Sequence, residues 1–491
     1  MEHSLRHPWR PRALLAGLAV ATAVLLVPSP LQNLGEYGDR PARAAAVALL
    51  MAVWWLTEAI PIYWTSCIPL LAYPVLGVFG RGFGGDVLAT LAPYVDPYIF
   101  LFAGGMAIAA AMQQWDLHRR VALAVMSALG TDPKRLLAGV LVATAFVSLW
   151  ISNTATATMM VPIGIALVAQ LERQRGGVRL GRYGMALMLA IAWGANLGGI
   201  GTKIGTAPNA QLAGFLELRG TSISFLDFML IGLPFVLAAL PIAWAFLCRL
   251  AGDEKLGGDA REVVRSERHA LGPAGSGERV VLAVFLVTAG VWIASQPLTA
   301  WLAARAGDFP LRSAHVEGGV AMLAALALLL LRAERRQVLE LRSLAVVPWE
   351  TLLLLGGGFA MAAGIQQSGL SGWMGGELAA IAGLPTLVQV WVAAIASVAL
   401  SAVASNTATV AVMLVVLADA AAPEARDAVL FAAAISASCD FALPAGTPPN
   451  AIVFGSGYVR IPVMARYGAP LDLVTATLAA LWCYFAVPRL F

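Results

Sequence analysis

Two copies of the string Ser-Asn-Thr-Ala-Thr lie within apolar stretches, at residues 152–156 and 405–409. Polar side chains and broken backbone are tolerated at membrane depth only inside protein or beside water. Hydroxyls and an amide, placed at the N-terminus of a following helix, would bind an anion because that terminus carries partial positive charge. Since a hydrogen bond to a charged group contributes about 1.5–3 kcal/mol, two such motifs could bind two carboxylates.

A second motif pair, Gly-Thr-x-Pro-Asn, lies at residues 205–209 and 446–450, in apolar stretches 183–216 and 425–457. Glycine and proline there predict local unwinding of the helix. The freed carbonyls, with serine and asparagine oxygens, could then coordinate Na⁺. The alternative is an ordinary kink or helix–helix contact.

These motifs belong to an internal repeat. AGGMAIAAAMQQWDL (103–117) aligns with GGGFAMAAGIQQSGL (356–370) at an offset of 253, with eight of fifteen positions identical. The Ser-Asn-Thr strings share that offset, whereas the Gly-Thr-x-Pro-Asn motifs are 241 apart. Three motifs in one order indicate a duplication. Because each unit contains five apolar spans, an odd number, the second unit should be inverted, as in secondary transporters.

The composition places these motifs in a membrane protein. Only 12% of the 491 residues are charged and 59% are hydrophobic, whereas a soluble domain has about 25% charged residues. This excludes a cytosolic enzyme, a secreted disulfide module and a nucleic-acid-binding protein. The four cysteines are scattered and no nucleophile–base pattern stands out, so the sequence predicts no enzyme and no resident cofactor.

The elements that must position the motifs are transmembrane helices of about 20 apolar residues. The predicted fold is an all-α polytopic membrane protein with eleven spans and two re-entrant hairpins, 134–171 and 385–420, with Ser-Asn-Thr at the hairpin tips. The predicted spans lie near residues 13–28, 43–59, 62–79, 97–114, 183–216, 225–248, 279–304, 316–333, 349–366, 425–457 and 463–488.

The distribution of basic residues predicts the orientation. With the N-terminus inside, 23 of the 32 Lys and Arg residues fall inside and eight outside, leaving Lys203 within a span. This bias indicates a multi-pass protein of the cell membrane with a cytoplasmic N-terminus and an external C-terminus. The apolar segment 13–27 resembles a signal peptide, but it lacks an A-x-A cleavage site and is interpreted as a retained helix.

The predicted organisation has four parts. Residues 1–42 carry the first helix, 43–250 form repeat I with the first hairpin, 251–278 are a cytoplasmic linker, and 279–491 form repeat II with the second hairpin.

The sequence resembles the divalent anion/sodium symporter family, the INDY-type di- and tricarboxylate transporters. The resemblance rests on WWLTEAIP (54–61), the two Ser-Asn-Thr motifs and GTPPN (446–450), and it covers residues 43–490. It implies a homodimeric elevator transporter, surrounded by membrane lipid, that couples Na⁺ to a carboxylate such as succinate, malate, fumarate or citrate. Sulfate is an alternative, but sulfate carriers of the family often have large soluble inserts, which this chain lacks.

The resemblance also implies site residues. The expected substrate contacts are Ser152, Asn153, Thr154, Ser405, Asn406 and Thr407, with Thr447 and Pro448 nearby. The first sodium site would use Ser148, Ser152, Asn153 and a carbonyl of Gly201 or Gly205. The second would use Ser401, Ala404, Asn406 and Gly446.

Lys203 and Asp440 depart from the expected pattern, because a charge at bilayer depth costs at least about 2.5–3.5 kcal/mol. They could snorkel, or pair with each other across the symmetry axis. Alternatively, the Lys203 ammonium replaces a bound Na⁺ and offsets the substrate charge, which would make the protein a sodium-independent dicarboxylate exchanger.

Overall fold

The computed structural model describes residues 10–130, 132–253, 260–305 and 309–491, which are mostly helical. Through residue 253 the helices are α1 (Pro11–Leu26), α2 (Arg40–Thr57), α3 (Ile62–Thr65), α4 (Ile68–Leu76), α5 (Gly82–Leu91), α6 (Pro97–Gln114), α7 (Leu117–Leu129), α8 (Pro133–Ser148), α9 (Asn153–Gln174), α10 (Gly181–Gly199), α11 (Ala207–Leu218) and α12 (Phe225–Ala251).

From residue 260 onward they are α13 (Ala260–Ala270), α14 (Ser276–Ile293), α15 (Ser295–Ala303), α16 (Ser313–Leu330), α17 (Glu350–Gln367), α18 (Leu370–Glu377), α19 (Ala379–Ala382), α20 (Thr386–Ser401), α21 (Asn406–Ala420), α22 (Arg426–Ala437), α23 (Pro448–Gly455) and α24 (Ile461–Leu490). Two-residue strands β1 (Arg332–Ala333) and β2 (Arg336–Gln337) pair antiparallel.

Within the described residues, six helical segments are long and apolar enough to cross a membrane. They are Gly82–Gln114, Asn153–Gln174, Phe225–Ala251, Ser276–Ile293, Ser313–Leu330 and Ile461–Leu490. Several of the predicted spans are divided into shorter helices. The span at 62–79, for example, consists of α3 and α4, and Pro69 lies in the first turn of α4, where proline is favoured.

The duplicated sequence folds with matching helix bounds. Helices α6 and α17 have 18 residues each and α8 and α20 have 16 each, and both pairs are separated by the offset of 253. Helices α11 and α23 begin 241 residues apart. The repeated motifs therefore specify the same local structure in both halves.

The helices are interrupted at the predicted positions. Helix α9 begins directly after Ser152, whose side chain accepts a hydrogen bond from the Ala155 amide. Serine is favoured there because its oxygen satisfies a backbone N–H that the helix leaves unpaired. The break between α10 and α11 covers 200–206, and that between α22 and α23 covers 438–447.

The helices that flank the breaks pack against one another. Helix α8 contacts α10, α20 contacts α22 and α24, and α10 contacts α23 of the second half. Small residues permit this approach, since a Cβ on Gly198 would lie 2.2 Å from the Ala145 carbonyl oxygen and one on Gly194 would lie 2.6 Å from that of Leu141. Elsewhere α6 packs along α16, and α2 contacts α1 and α17.

The predicted linker, 251–278, contains a helix. Within its described residues, α13 packs against α7 and α9, and Glu267 forms an ion pair with Arg119. Glu278, in the first turn of α14, pairs with Arg120. The linker is therefore attached to the helical body; residues 254–259 lie outside the described residues.

Substitution of two adjacent glycines of α16 can test the close packing of α6 and α16. A Cβ on Gly318 would lie 2.6 Å from the Pro97 carbonyl oxygen, whereas one on Gly319 would meet nothing within 4 Å. We expect Gly318→Ala to cost about 1–3 kcal/mol through overpacking, lowering the thermal midpoint in detergent. Gly319→Ala, the matched control, should leave it unchanged or raise it, because alanine favours helix. Equal midpoints for the two variants would contradict the packing described.

Candidate functional site

The first break is organised around Ser148 and Asn153. The Ser148 hydroxyl donates to the Ala195 carbonyl at 2.7 Å and lies 2.9 Å from the Asn153 amide group. That amide group also faces the carbonyl oxygens of Ala195 and Gly205, at 3.0 and 3.2 Å. Because these neighbours can all accept, the Asn153 NH₂ faces them, as the hydrogen-bond network requires. A serine, an asparagine and two carbonyls thus meet at one point.

The second break has the same arrangement. The Ser401 hydroxyl lies 2.7 Å from the Ala437 carbonyl oxygen and 2.7 Å from Asn406 Oδ1. In both halves, a serine at the end of one helix and an asparagine at the start of the next meet an alanine carbonyl on a third helix. The same residue types therefore meet at both breaks, although Asn153 turns its NH₂ toward the serine and Asn406 turns its Oδ1.

The last asparagine of each Gly-Thr-x-Pro-Asn motif stabilises the unwound backbone. Asn209 Nδ2 donates to the carbonyls of Gly199 (2.8 Å) and Thr202 (2.7 Å). Asn450 Nδ2 donates to those of Asp440 (3.1 Å) and Leu443 (2.9 Å). These bonds satisfy carbonyls that the helix ends leave without a helical partner. The side-chain amides of these two asparagines therefore bind backbone carbonyls of the protein itself.

Asn196 joins the two halves and was missed by the sequence analysis. Its Nδ2 donates to the Asp440 carbonyl and to Thr447 Oγ1, both at 3.1 Å. The signal that could have found it is an amide side chain inside an otherwise apolar span. Its bonds hold the second unwound segment against α10.

The predicted substrate contacts differ in accessibility. Thr154 and Pro448 are exposed, and Ser152, Ser405, Asn406 and Thr407 are half-buried. Asn153 is buried, and Thr447 is 1% exposed with its hydroxyl oxygen accepting from Asn196 and from the Asn450 amide. Among the described residues, no hydrogen bond joins the first Ser-Asn-Thr motif to the second.

A small cavity lies beside the first motif. Its lining includes Ser152, Trp150 and Gln113, and its volume is about 30 Å³, which accommodates a water molecule and not a dicarboxylate. The half-buried Ser152 is thus at the edge of a space that must widen to admit a larger ligand.

The candidate sodium ligands are only partly brought together. Of the two glycine alternatives in the first site, Gly205 adjoins Asn153, whereas Gly201 packs against the Leu149 side chain. In the second half, Gly446 adjoins the Asp440 side chain, and Ala404 is buried in the turn after Ser401.

Lys203 pairs with Glu317. Its Nζ lies 2.8 Å from Glu317 Oε2, both side chains are 0% exposed, and Nζ also donates to the Ile223 carbonyl. A snorkelling Lys203 and a pair with Asp440 are therefore both wrong. Glu317 therefore balances the charge of Lys203 in this structure.

Glu317 is held by several donors and was not identified from the sequence. It accepts hydrogen bonds from the Phe225 amide at 2.7 Å and the Ser295 hydroxyl at 2.8 Å. An acidic residue inside the predicted span 316–333 was the available signal. The ion pair ties the first unwound segment to α16 and to the start of α12.

The broken, paired helices and the apolar spans define a multi-pass membrane protein with a transporter fold. MtrF of Neisseria gonorrhoeae, from a class of antimetabolite efflux pumps, matches the fold with a TM-score of 0.54 at 14% identity, covering 98% of this chain and 96% of its own. At that identity the likeness extends to the fold alone.

The family follows from the sequence comparisons. The model of the sodium:sulfate symporter transmembrane region matches residues 10–487, so the chain belongs to this family. A sodium-dependent dicarboxylate transporter, SdcS, of Staphylococcus saprophyticus is 36% identical over 487 residues, 96% of this chain and 90% of its own length. Its counterpart in Staphylococcus aureus is 34% identical over 459 residues, covering 90% and 85%.

The buried ion pair can be tested by paired substitution. Lys203→Met or Glu317→Gln alone should lower the free energy of unfolding by about 3–5 kcal/mol. Each substitution leaves the opposite charge buried without its partner. Lys203→Met combined with Glu317→Gln should recover most of that loss, measured as the thermal midpoint in detergent. Arg135→Ala, which removes an exposed pair with Asp132, is the control and should change stability by less than about 1 kcal/mol. Additive losses in the double variant would contradict a direct pair.

Proposed function

We propose that this protein is a secondary transporter that couples Na⁺ to the movement of C4-dicarboxylates or related di- and tricarboxylates such as succinate, malate, fumarate and citrate. The observation that carries the proposal is the matching Ser–Asn–carbonyl arrangement at the two helix breaks, in a chain whose relatives are named sodium-dependent dicarboxylate transporters. No enzymatic reaction is proposed.

The two arrangements suit Na⁺ as cargo. Hydroxyl, amide and carbonyl oxygens at unwound helices are the ligands with which transporters coordinate Na⁺. The Asn153 amide, whose NH₂ faces Ser148 and Gly205, would turn its oxygen toward the bound ion. The first site comprises Ser148, Ser152, Asn153 and Gly205, and the second comprises Ser401, Ala404, Asn406 and Gly446. Two bound sodium ions would balance the two charges of a dicarboxylate and so lower the cost of carrying it through an apolar interior.

The carboxylates would lie at the N-termini of α9 and α21. Ser152 and Ser405 precede these helices, and Thr154 and Thr407 lie in their first turns. Hydroxyl donors and the partial positive charge of a helix N-terminus both favour an anion. Thr447 and Pro448, at the start of α23, would border the same site.

The proposed architecture is an inverted repeat, residues 43–250 and 279–491, with α8–α9 and α20–α21 as re-entrant hairpins entering from opposite faces of the cell membrane. Eleven spans then place the N-terminus inside and the C-terminus outside. The mutual packing of the helices around the breaks suggests that they move as one elevator domain against α6, α16 and α17, in a homodimer surrounded by lipid.

Sodium-independent exchange is disfavoured by the Lys203–Glu317 pair, because that alternative needed an uncompensated ammonium group. The name of the family supports sulfate as an alternative substrate. Competition by sulfate therefore tests this alternative.

Uptake into proteoliposomes tests the coupling. We expect labelled succinate to enter empty vesicles when Na⁺ is outside and not when choline replaces it, because the bound cations balance the substrate charge. Excess unlabelled malate should compete and excess sulfate should not. Uptake that needs internal succinate and ignores Na⁺ would contradict symport, and competition by sulfate alone would reassign the substrate.

Substitution of the paired asparagines tests the site. Asn153→Ala and Asn406→Ala should each reduce uptake by about tenfold or more, since each removes a polar group whose bonds are worth about 1.5–3 kcal/mol when a charge is involved. Thr158→Ala, on the exposed face of α9, is the control and should retain uptake, because among the described residues that hydroxyl donates to the Thr154 carbonyl of its own helix and to no other group. If both asparagine variants, reconstituted in equal amounts, take up succinate as the wild type does, these motifs do not form the binding site.

A further inference from the structure

Asp440 is a buried carboxylate in the unwound segment between α22 and α23. It is 0% exposed, and within the described part of the chain neither carboxylate oxygen has a hydrogen-bond partner. The Ala442 amide lies close to the carboxylate. Its neighbour Asp472, on α24, instead accepts a hydrogen bond from the Phe441 amide at 2.8 Å. Asp440 is therefore the carboxylate here whose charge the protein leaves uncompensated.

An uncompensated buried charge is costly. Removing a carboxylate from water costs several kcal/mol even after the protein relaxes, and buried carboxylates are for this reason paired, bound to a metal ion or protonated. Lys203, the cation that the sequence places in the corresponding unwound segment, is already paired with Glu317. Lys203 therefore does not compensate the charge of Asp440.

The carboxylate lies at the proposed second sodium site. A Cβ on Gly446 would lie 1.4 Å from Asp440 Oδ2, so glycine is required for the carboxylate to approach this backbone. The hydroxyls of Ser436 and Ser438, beside the same segment, are also buried without a hydrogen-bond partner among the described residues. Carboxylate, carbonyl and hydroxyl oxygens are thus concentrated around one short stretch of backbone.

The first half lacks this carboxylate. At the offset of 241, Asp440 corresponds to Gly199 and Gly446 to Gly205. A Cβ on Gly199 would lie 2.0 Å from the Asn153 side chain, and one on Gly205 would lie 2.4 Å from the Gly199 carbonyl oxygen. The first half therefore has no space for a side chain where the second half has an aspartate.

We infer that Asp440 is a direct ligand of the Na⁺ bound in the second half, through its carboxylate, alongside the Gly446 carbonyl. The two cation sites are then unequal: the first consists of neutral oxygens, whereas the second includes a negative charge and binds Na⁺ more tightly. This inference rests on the proposed sodium coupling.

Asp440→Asn removes the charge of the side chain and keeps its shape. We expect it to raise the Na⁺ concentration for half-maximal succinate uptake by about tenfold. In detergent, replacing choline chloride by NaCl at constant ionic strength should raise the thermal midpoint of the wild type, because a ligand stabilises the state that it binds. That shift should shrink in Asp440→Asn, while its midpoint without Na⁺ should equal or exceed the wild-type value, since the uncompensated charge has been removed.

Asp472→Asn is the matched control. Its carboxylate is bound to backbone, so the substitution should lower the thermal midpoint equally with and without Na⁺ and leave the half-saturating Na⁺ concentration unchanged. If Asp440→Asn does not purify, Asp440→Ala removes the same charge, and the Na⁺-dependent shift is read in that variant.

The outcomes are distinguishable. If the wild type responds to Na⁺ and Asp440→Asn responds identically, Asp440 is not a ligand and the sodium coupling stands. If the wild type shows neither Na⁺-dependent uptake nor a Na⁺-dependent midpoint, the proposed coupling and the role of Asp440 are both overturned.

Discussion

The structure depends on how an interrupted helix is stabilised in an apolar surrounding. A break exposes carbonyls and amides that water cannot reach, and each unpaired group costs free energy comparable to a lost hydrogen bond. The protein satisfies them with amide side chains: Asn209 and Asn450 donate to the unwound backbone, and Asn196 bridges to the second segment. These bonds hold the backbone of the breaks, and that backbone positions the serine and asparagine side chains of the motifs.

The same constraint explains the buried ion pair. Lys203 lies within the first unwound segment, where an isolated ammonium group would be costly, and Glu317 compensates it from another helix. Glu317 is in turn oriented by the Phe225 amide and the Ser295 hydroxyl. The pair therefore connects the first break to α16 through fixed hydrogen bonds. If α10 moves relative to α16, either Lys203 and Glu317 separate or their side chains adjust to keep the ion pair.

Duplication preserved the hydrogen bonds of the breaks more strictly than their charges. Ser148 and Ser401 each contact an asparagine and an alanine carbonyl. Yet Gly199 in one half corresponds to Asp440 in the other, so the two breaks differ in charge. Equivalent geometry in a repeat does not imply equivalent affinity for a charged ligand.

The sequence by itself determined the membrane class, the repeat and the positions of the helix breaks, because apolar length, repeated strings, glycine and proline are local signals. It also singled out Lys203 and Asp440 as charges in need of a partner. Only the tertiary structure decided that Lys203 meets Glu317, 114 residues away, that Gly205 rather than Gly201 adjoins Asn153, and that Thr447 faces Asn196. These pairings depend on which helix faces which, and helix packing is set by the whole core rather than by any local string.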